Sequence, residues 1–272
     1  MKKTIFITGA SSGIGKSTAK YFVEKGWNVA ASMRSPENED ELSKIKEIKL
    51  YKLDVTNEDE IAAVTQQIFK DFKRVDVLLN NAGYAEVGVF EKSTDKEVRK
   101  QFDVNVFGVM NLTREIIPYF RKQGEGVIIN VTSVGGKITF PLYSIYNSSK
   151  FALEGFAESL QYELRDFNIR IKNIEPGPIK TDFYSRSQNV FENESIKGYE
   201  KYENAVLNRM AKTGRTAPGP EVVAKTIYKA AIDGGNTLRY PAGNQAYFIL
   251  IFRKLMPGHW FNKILHKVMA RN

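Results

Sequence analysis

The chain has 272 residues, 42% of them apolar, enough for a buried core, and no apolar run approaches the about 20 residues a membrane span needs. It has no cysteine and only two histidines, His259 and His266, which excludes disulfides and thiolate metal sites and argues against a histidine-held metal. The formal net charge is +9, but basic residues are scattered from Lys2 to Arg271 with no arginine-rich run or zinc module, so a solvated basic surface is preferred to a nucleic-acid site.

Short β-rich runs alternate with helical patterns from start to finish. The opening MKKTIFITGA reads as a strand of the mature fold, not a signal peptide, so a cytoplasmic location is the default expectation. The first strand, 4–8, leads into Gly9-Ala10-Ser11-Ser12-Gly13-Ile14-Gly15 and a helix over 13–25. Glycines between strand and helix allow a tight turn and close approach of the backbone to a pyrophosphate, and the helix start offers N–H groups and a positive dipole end. Gly15-Lys16-Ser17 also copies the end of a P-loop, but that motif wants a glycine where Ala10 stands, so its register fails.

The second strand, 28–33, runs out at Met33-Arg34-Ser35. A carboxylate there would bond a ribose diol and repel a 2′-phosphate. Arg34 instead offers charge-assisted bonds to a phosphate, so NADP(H) is expected over NAD(H). A third strand, 48–53, is followed by Asp54 and Val55, then a helix over 59–72. The fourth, 75–80, precedes Asn81-Ala82-Gly83, and a long helical pattern over 95–123 carries Asn105.

The fifth strand, 126–132, ends at Ser133, and a helix over 145–166 carries Tyr146 and Lys150. A separation of four puts these two on one helical face, a turn apart. A phenol with an ordinary pKa of about 10 is a poor acid–base group at neutral pH, and a neighbouring ammonium favours its phenolate. Tyr143 cannot take this part, because Asn147 stands four residues on. Ser133, at a strand end, can stabilise developing alkoxide charge. A serine hydrolase would need a histidine beside it, and neither histidine lies in these segments.

A sixth strand, 169–175, runs into Pro176-Gly177-Pro178-Ile179 and Thr181, and a helix over 220–233 and a strand over 237–240 follow. Nearly continuous apolar runs such as VDVLLN imply strands covered on both faces, and strand–helix alternation implies right-handed crossovers. The expected fold is therefore α/β: a single-domain, Rossmann-type, doubly wound parallel sheet with helices on both faces. Two stretches break the rhythm. Residues 183–216 are polar and read as a mobile substrate lid. Residues 245–272 mix apolar and basic side chains; a lid or subunit contact is preferred there to an amphipathic helix on a membrane surface.

TGASSGIG, Asp54, Asn80-Asn81-Ala82-Gly83, Tyr146-x-x-x-Lys150 and Pro176-Gly177-Pro178, in this order, resemble the short-chain dehydrogenase/reductase family over nearly the whole chain. The resemblance implies an oxidoreductase moving a hydride between NADP(H) and a carbonyl or alcohol. It implies that Asp54 and Val55 hold the adenine, Asn81, Ala82 and Gly83 line the ribose, Pro176 and Gly177 with Ile179 and Thr181 meet the nicotinamide, and Lys150 also reaches its ribose. It adds Asn105 to Ser133, Tyr146 and Lys150, as the residue that stabilises a helix distortion and a water link in a proton relay. A homodimer or homotetramer pairing through 95–123 and 145–166 is implied too.

NNAGYAEVG and SKFALEGFAESL further resemble the branch of 17β-hydroxysteroid- and retinol-type dehydrogenases, which implies a bulky lipophilic ketone, aldehyde or alcohol. Candidate pocket walls are Tyr84, Val87, Phe140, Leu142, Tyr143, Phe183 and Tyr184. An NADP(H)-binding regulator without turnover is the alternative of another class, and the complete set of four favours the enzyme.

Overall fold

The computed structural model describes residues 2–181 and 188–270. In chain order its strands are β1 (Thr4–Thr8), β2 (Asn28–Met33), β3 (Ile48–Lys52), β4 (Val77–Asn80), β5 (Ala85–Val87), β6 (Gly126–Val131), β7 (Ile169–Pro176), β8 (Gln188–Val190) and β9 (Arg239–Ala242). Seven of them form one parallel sheet in the order β3-β2-β1-β4-β6-β7-β9, and β5 pairs with β8 apart from it.

Alternation of side chains explains why the strands read as unbroken apolar runs. Ile5 and Ile7 of β1 turn to one face and Phe6 to the other; β4 separates Val77 and Leu79 from Leu78, and β6 separates Val127 and Ile129 from Ile128. Both sets are buried, so neither face can be polar. One face is covered by α1 (Gly13–Glu24) and α7 (Glu221–Ile232), through Ala19 and Phe22 of the first and Val223, Ile227 and Ala230 of the second. The other is covered by α2 (Glu58–Phe72), α4 (Gly108–Gln123) and α5 (Ser144–Leu164), through residues such as Ile68, Ile116, Phe120 and Leu160.

A buried amide ladder crosses the middle of the sheet. Asn80 donates to Asn130 at 3.0 Å and Asn130 to Asn173 at 3.1 Å, between residues that face each other in the β4–β6 and β6–β7 registers. A one-residue slip of any of these strands would leave buried amides unpaired, so the ladder pins the register. Strand order reverses between β1 and β4, with β2 and β3 on one side and β6, β7 and β9 on the other. The crevice beyond the carboxyl ends of β1 and β4 is where such sheets receive ligands.

Three expectations change. The helix over 95–123 is α3 (Asp95–Phe102), a π-helical stretch at Asp103–Phe107, and α4. The strand placed at 237–240 is Arg239–Ala242, two residues later. The described part of the polar stretch 183–216 forms β8 and α6 (Glu200–Thr216), whose Val206 is fully buried beside Val87 and Leu142. One packed stripe suffices to hold such a helix, which is why its composition hides it. Phe183 and Tyr184 lie outside the described residues. The chain closes with α8 (Asn244–Leu255) and α9 (Gly258–Ala270), the latter packed on α6. Among the described residues no helix is long and apolar enough to cross a membrane.

Candidate active site

The glycine turn after β1 is built so that side chains cannot enter it. Gly9 and Gly13 have φ of +65° and +51°, the left-handed region that favours glycine. A Cβ on Gly15 would lie 2.4 Å from the Gly9 carbonyl oxygen, and one on Gly9 would lie 2.8 Å from the Ala82 Cα. The turn is stapled to the end of β4 by Asn81, whose Nδ2 donates to the Thr8 and Gly9 carbonyls at 2.9 and 3.0 Å. Thr8 Oγ1 accepts from the backbone N–H groups of Asn81 and Ala82, both at 3.0 Å. The side chain of Asn81 thus shapes the loop, and Asn81, Ala82 and Gly83 line the crevice.

Ser12 precedes α1 without a side-chain cap, and the first turn carries no acid, so the helix start presents its N–H groups and dipole to the crevice. Lys16 turns away from it: Nζ bonds Glu39 at 2.9 Å and Glu41 at 2.9 Å, a placement unlike that of a P-loop lysine. Arg34 is exposed at the crevice, next to the buried Met33. Asp54 lines it too, with Oδ1 held by the backbone and hydroxyl of Thr56 at 2.9 and 2.8 Å. Ile179 and Thr181 close the opposite wall after β7, where a Cβ added to Gly13 would lie 3.4 Å from Thr181 Cβ.

The same crevice continues to the end of β6, and its volume is about 830 Å³. Ser133 stands there in extended backbone; its Oγ accepts from Gly135 N–H at 2.9 Å, which leaves the hydroxyl proton to be donated elsewhere. Tyr146 and Lys150 come from the first two turns of α5 and line the crevice with Ser133. Lys150 Nζ lies 5.7 Å from the centroid of the Tyr146 ring and donates to the Val131 carbonyl at 2.9 Å. Burial pulls the Lys150 pKa down to about 8, against the opposing pull of Glu154 one turn on. A Cβ on Gly135 would sit 3.2 Å from Ser133 Oγ and 3.5 Å from Tyr146 Cε1, so this glycine keeps the corner between them open.

Asn105 sits at the centre of the π-helical stretch, buried behind the crevice wall. Its Oδ1 accepts from Tyr84 N–H at 3.1 Å, and its Nδ2 donates to the Tyr84 carbonyl at 3.0 Å and to Ser149 Oγ at 3.2 Å. One amide therefore ties the segment after β4 to α5, one residue before Lys150.

Every residue given a catalytic or cofactor-binding part from the sequence, except Gly15 and Asn105, lines this one crevice. Gly15 is packed inside the turn and Asn105 lies behind the wall. Of the expected pocket walls, Tyr84, Phe140 and Tyr143 line the crevice, whereas Val87 and Leu142 are core residues packed with Val206. Met210 and Thr213 of α6 and Ile249, Leu265 and Met269 of the C-terminal helices complete the apolar end. The α6 pair carried no signal in sequence, because nothing local says which face of a polar helix turns toward a distant strand end.

The family model for short chain dehydrogenase matches residues 3–190. The chain belongs to the short-chain dehydrogenase family. It is thus an oxidoreductase that acts on an alcohol or carbonyl group and binds a nicotinamide cofactor. It is 38% identical over 276 residues, 98% of each chain, to the uncharacterized oxidoreductase YusZ of Bacillus subtilis strain 168. It is 40% identical over 179 residues, 66% of this chain and 65% of the other, to the 3-ketodihydrosphingosine reductase of Bacteroides thetaiotaomicron. Among solved structures it resembles a short-chain dehydrogenase from Streptomyces avermitilis, with a TM-score of 0.83 at 31% identity over 98% of this chain and 95% of that one. ElxO with NADP bound gives a TM-score of 0.74 at 28% identity over 90% and 100%. A Burkholderia phymatum family member in complex with NAD shares the fold, with a TM-score of 0.81 at 23% identity over 93% of each chain.

Proposed function

We propose that this short-chain dehydrogenase moves a hydride between NADP(H) and a lipophilic ketone or aldehyde, or the corresponding alcohol. The observation that carries the reading is the meeting of Ser133, Tyr146 and Lys150 in one crevice with the uncapped glycine turn at one end and an apolar wall at the other. The turn fits a dinucleotide because Gly9 and Gly13 take left-handed backbone and Gly9 and Gly15 pack too closely for a Cβ, so the backbone of the turn stays free of bulky side chains at the crevice. In this reading Gly9, Ser11, Ser12, Gly13, Ile14 and Gly15 form the pyrophosphate cradle, Asp54 and Val55 the adenine site, and Asn81, Ala82 and Gly83 the ribose wall. Pro176, Gly177, Ile179 and Thr181 border the nicotinamide, and Arg34 pairs with the 2′-phosphate.

When bound, the nicotinamide supplies or takes up the hydride at the substrate carbon. The side chains manage the oxygen. Tyr146 donates its phenolic proton to the carbonyl oxygen in reduction and withdraws the hydroxyl proton in oxidation. Lys150, its ammonium against that ring, favours the phenolate and lowers the cost of releasing the proton. Ser133, its Oγ already accepting from Gly135, directs its hydroxyl proton to the substrate oxygen and stabilises alkoxide charge. Asn105 acts at one remove, holding Tyr84 and the Ser149 turn so that Lys150 keeps its place.

The lipophilic substrate is supported by Phe140, Tyr143, Met210, Ile249 and Leu265 at the far end, and by the 3-ketodihydrosphingosine named in the Bacteroides relative. α6 serves as the described part of a lid over that end. Pairing of two copies through the helical segment 95–123 and α5 is supported by Phe107, at the end of the π-helical stretch, and Phe151 on α5, which stay exposed. A screen of ketones and aldehydes of rising chain length, followed by NADPH and NADH absorbance, tests the reading. Nucleotide binding without turnover of any of them would point to a regulator.

A further inference from the structure

After Asp233 the chain contains no aspartate or glutamate, yet it carries Arg239, Arg253, Lys254, Lys263, Lys267 and Arg271. Arg239 is turned inward onto Glu154 and Glu158, and Lys254, Lys263 and Lys267 stand exposed on α8 and α9. The two helices that bear them are apolar on both sides. Inward, Ala246 and Phe261 are buried against Val134 and Ile138 beside the catalytic corner, and Ile249 and Leu265 line the crevice. Outward, Tyr247, Phe248, Ile251, Phe252 and Leu255 follow one face of α8 and are exposed, Phe248 by 72% and Leu255 by 79%. On α9, Trp260, Ile264 and Val268 recur every four residues, and all three are exposed. The two stripes meet at a groove of about 470 Å³ lined by Phe252, Leu255, Met256, Pro257 and Trp260.

We infer that the outer face of the α8–α9 pair docks on an anionic lipid membrane, lying in its surface. Aromatic and branched aliphatic side chains alternating with lysines, and no acid among them, are what a headgroup–acyl boundary carrying negative charge complements. Neither helix is long and apolar enough to span, so the contact is in the plane of the surface. A second copy of the chain is a poorer occupant, since pairing this face with itself would set lysines against lysines with no carboxylate to answer them. The inner faces of the same helices wall the crevice, so docking sets the apolar end of the site against the lipid. That consequence rests on the lipophilic substrate proposed above; the docking itself does not.

The test is sedimentation of the full chain with vesicles of phosphatidylcholine alone or mixed with phosphatidylglycerol. Binding to the mixed vesicles is expected to be about tenfold or more stronger, and to weaken in high salt. Trp260 emission should move to the blue and be quenched by acyl-chain bromine, whereas buried Trp27 should not respond. Leu255→Glu with Trp260→Glu should cut binding about tenfold or more, with NADPH binding and reduction of a water-soluble carbonyl unchanged, because neither residue lines the crevice. Tyr162→Glu, exposed on α5, should leave binding as it is. If the double variant no longer binds NADPH, Lys254→Glu with Lys263→Glu decides, through loss of the preference for anionic vesicles. Absence of binding to either vesicle, binding by the Leu255→Glu, Trp260→Glu variant equal to the parent's, or light scattering in which Leu255→Glu splits an oligomer would each overturn the proposal.

Discussion

The ammonium of Lys150 is held between two contacts: the Val131 carbonyl, which accepts from it at 2.9 Å, and the Tyr146 ring, whose centroid lies 5.7 Å away. The charge is thus kept beside the phenol by the end of β6 as well as by α5. Tyr146→Phe removes the phenolic proton beside this ammonium and leaves the nucleotide turn untouched. Carbonyl reduction should fall by about a hundredfold to ten thousandfold, with NADPH affinity nearly unchanged in a fluorescence titration. A Phe variant reducing at the parent rate would refute the assignment.

Burial sets a pH window for Lys150. Its pKa in the folded protein is pulled from 10.5 to about 8, so the ammonium is fully present below that value and lost as pH rises through it. The kcat/KM for reduction should therefore decline above a pH of about 8, and a plateau reaching pH 10 would contradict it. The same shift acts on stability. The unfolded chain binds this proton more strongly, so Lys150 is a burden below about pH 8, and that burden is relieved as pH rises toward 10.5.

Glu175 and Glu154 are buried close together, and each has a carboxylate oxygen without a hydrogen-bond partner. Desolvation, then the Glu154 charge, pushes Glu175 from 4.5 up to about 7, although Arg239 lies 3.7 Å away. Protonated Glu175 carries no penalty below 4.5, and the penalty grows as pH rises through about 7. Glu175→Gln should then match the parent in thermal melts at pH 4.5 and exceed it by about 1 to 3 kcal/mol at pH 8. A difference independent of pH would show that Glu175 is charged throughout.

Asn105 answers both backbone groups of Tyr84. Asn105→Ala would leave the part-buried Tyr84 N–H without its partner, while the carbonyl keeps Gln101 Nε2 at 2.9 Å, at a cost of about 1 to 3 kcal/mol in denaturant unfolding. Because the amide acts on Lys150 only through Ser149, kcat should fall while NADPH affinity holds. Unchanged stability would mean that the π-helical stretch stands without it.

Arg34 is exposed, where an ordinary ion pair contributes only a fraction of a kcal/mol, but a bidentate phosphate bond at the crevice contributes about 1.5 to 3. Arg34→Ala should weaken NADPH use about tenfold to a hundredfold and leave NADH use nearly as it was. Met33→Asp should penalise NADPH by repulsion. Equal loss with both cofactors would make Arg34 a general electrostatic residue.

The seven strands of the main sheet, the glycine turn and the Tyr146–Lys150 pair are legible in the sequence because each is local, whereas β5 and β8 are too short to read. Short unbroken apolar runs, a separation of four residues, or glycine between a strand and a helix state their geometry over a few positions. The strand ends came within about two residues, since hydrogen-bonding partners decide where pairing stops. What lies far apart in the chain was decided by the tertiary structure. Asn81 closing on Thr8 and Gly9, the register that aligns Asn80, Asn130 and Asn173, and Asn105 bridging Tyr84 to Ser149 all join separate elements. Val87 and Leu142 look like pocket residues in sequence and are core, while Met210 looks like part of a polar insertion and lines the crevice. An apolar side chain reads the same in either place, because the pattern records that it avoids water and only packing decides what it avoids water against.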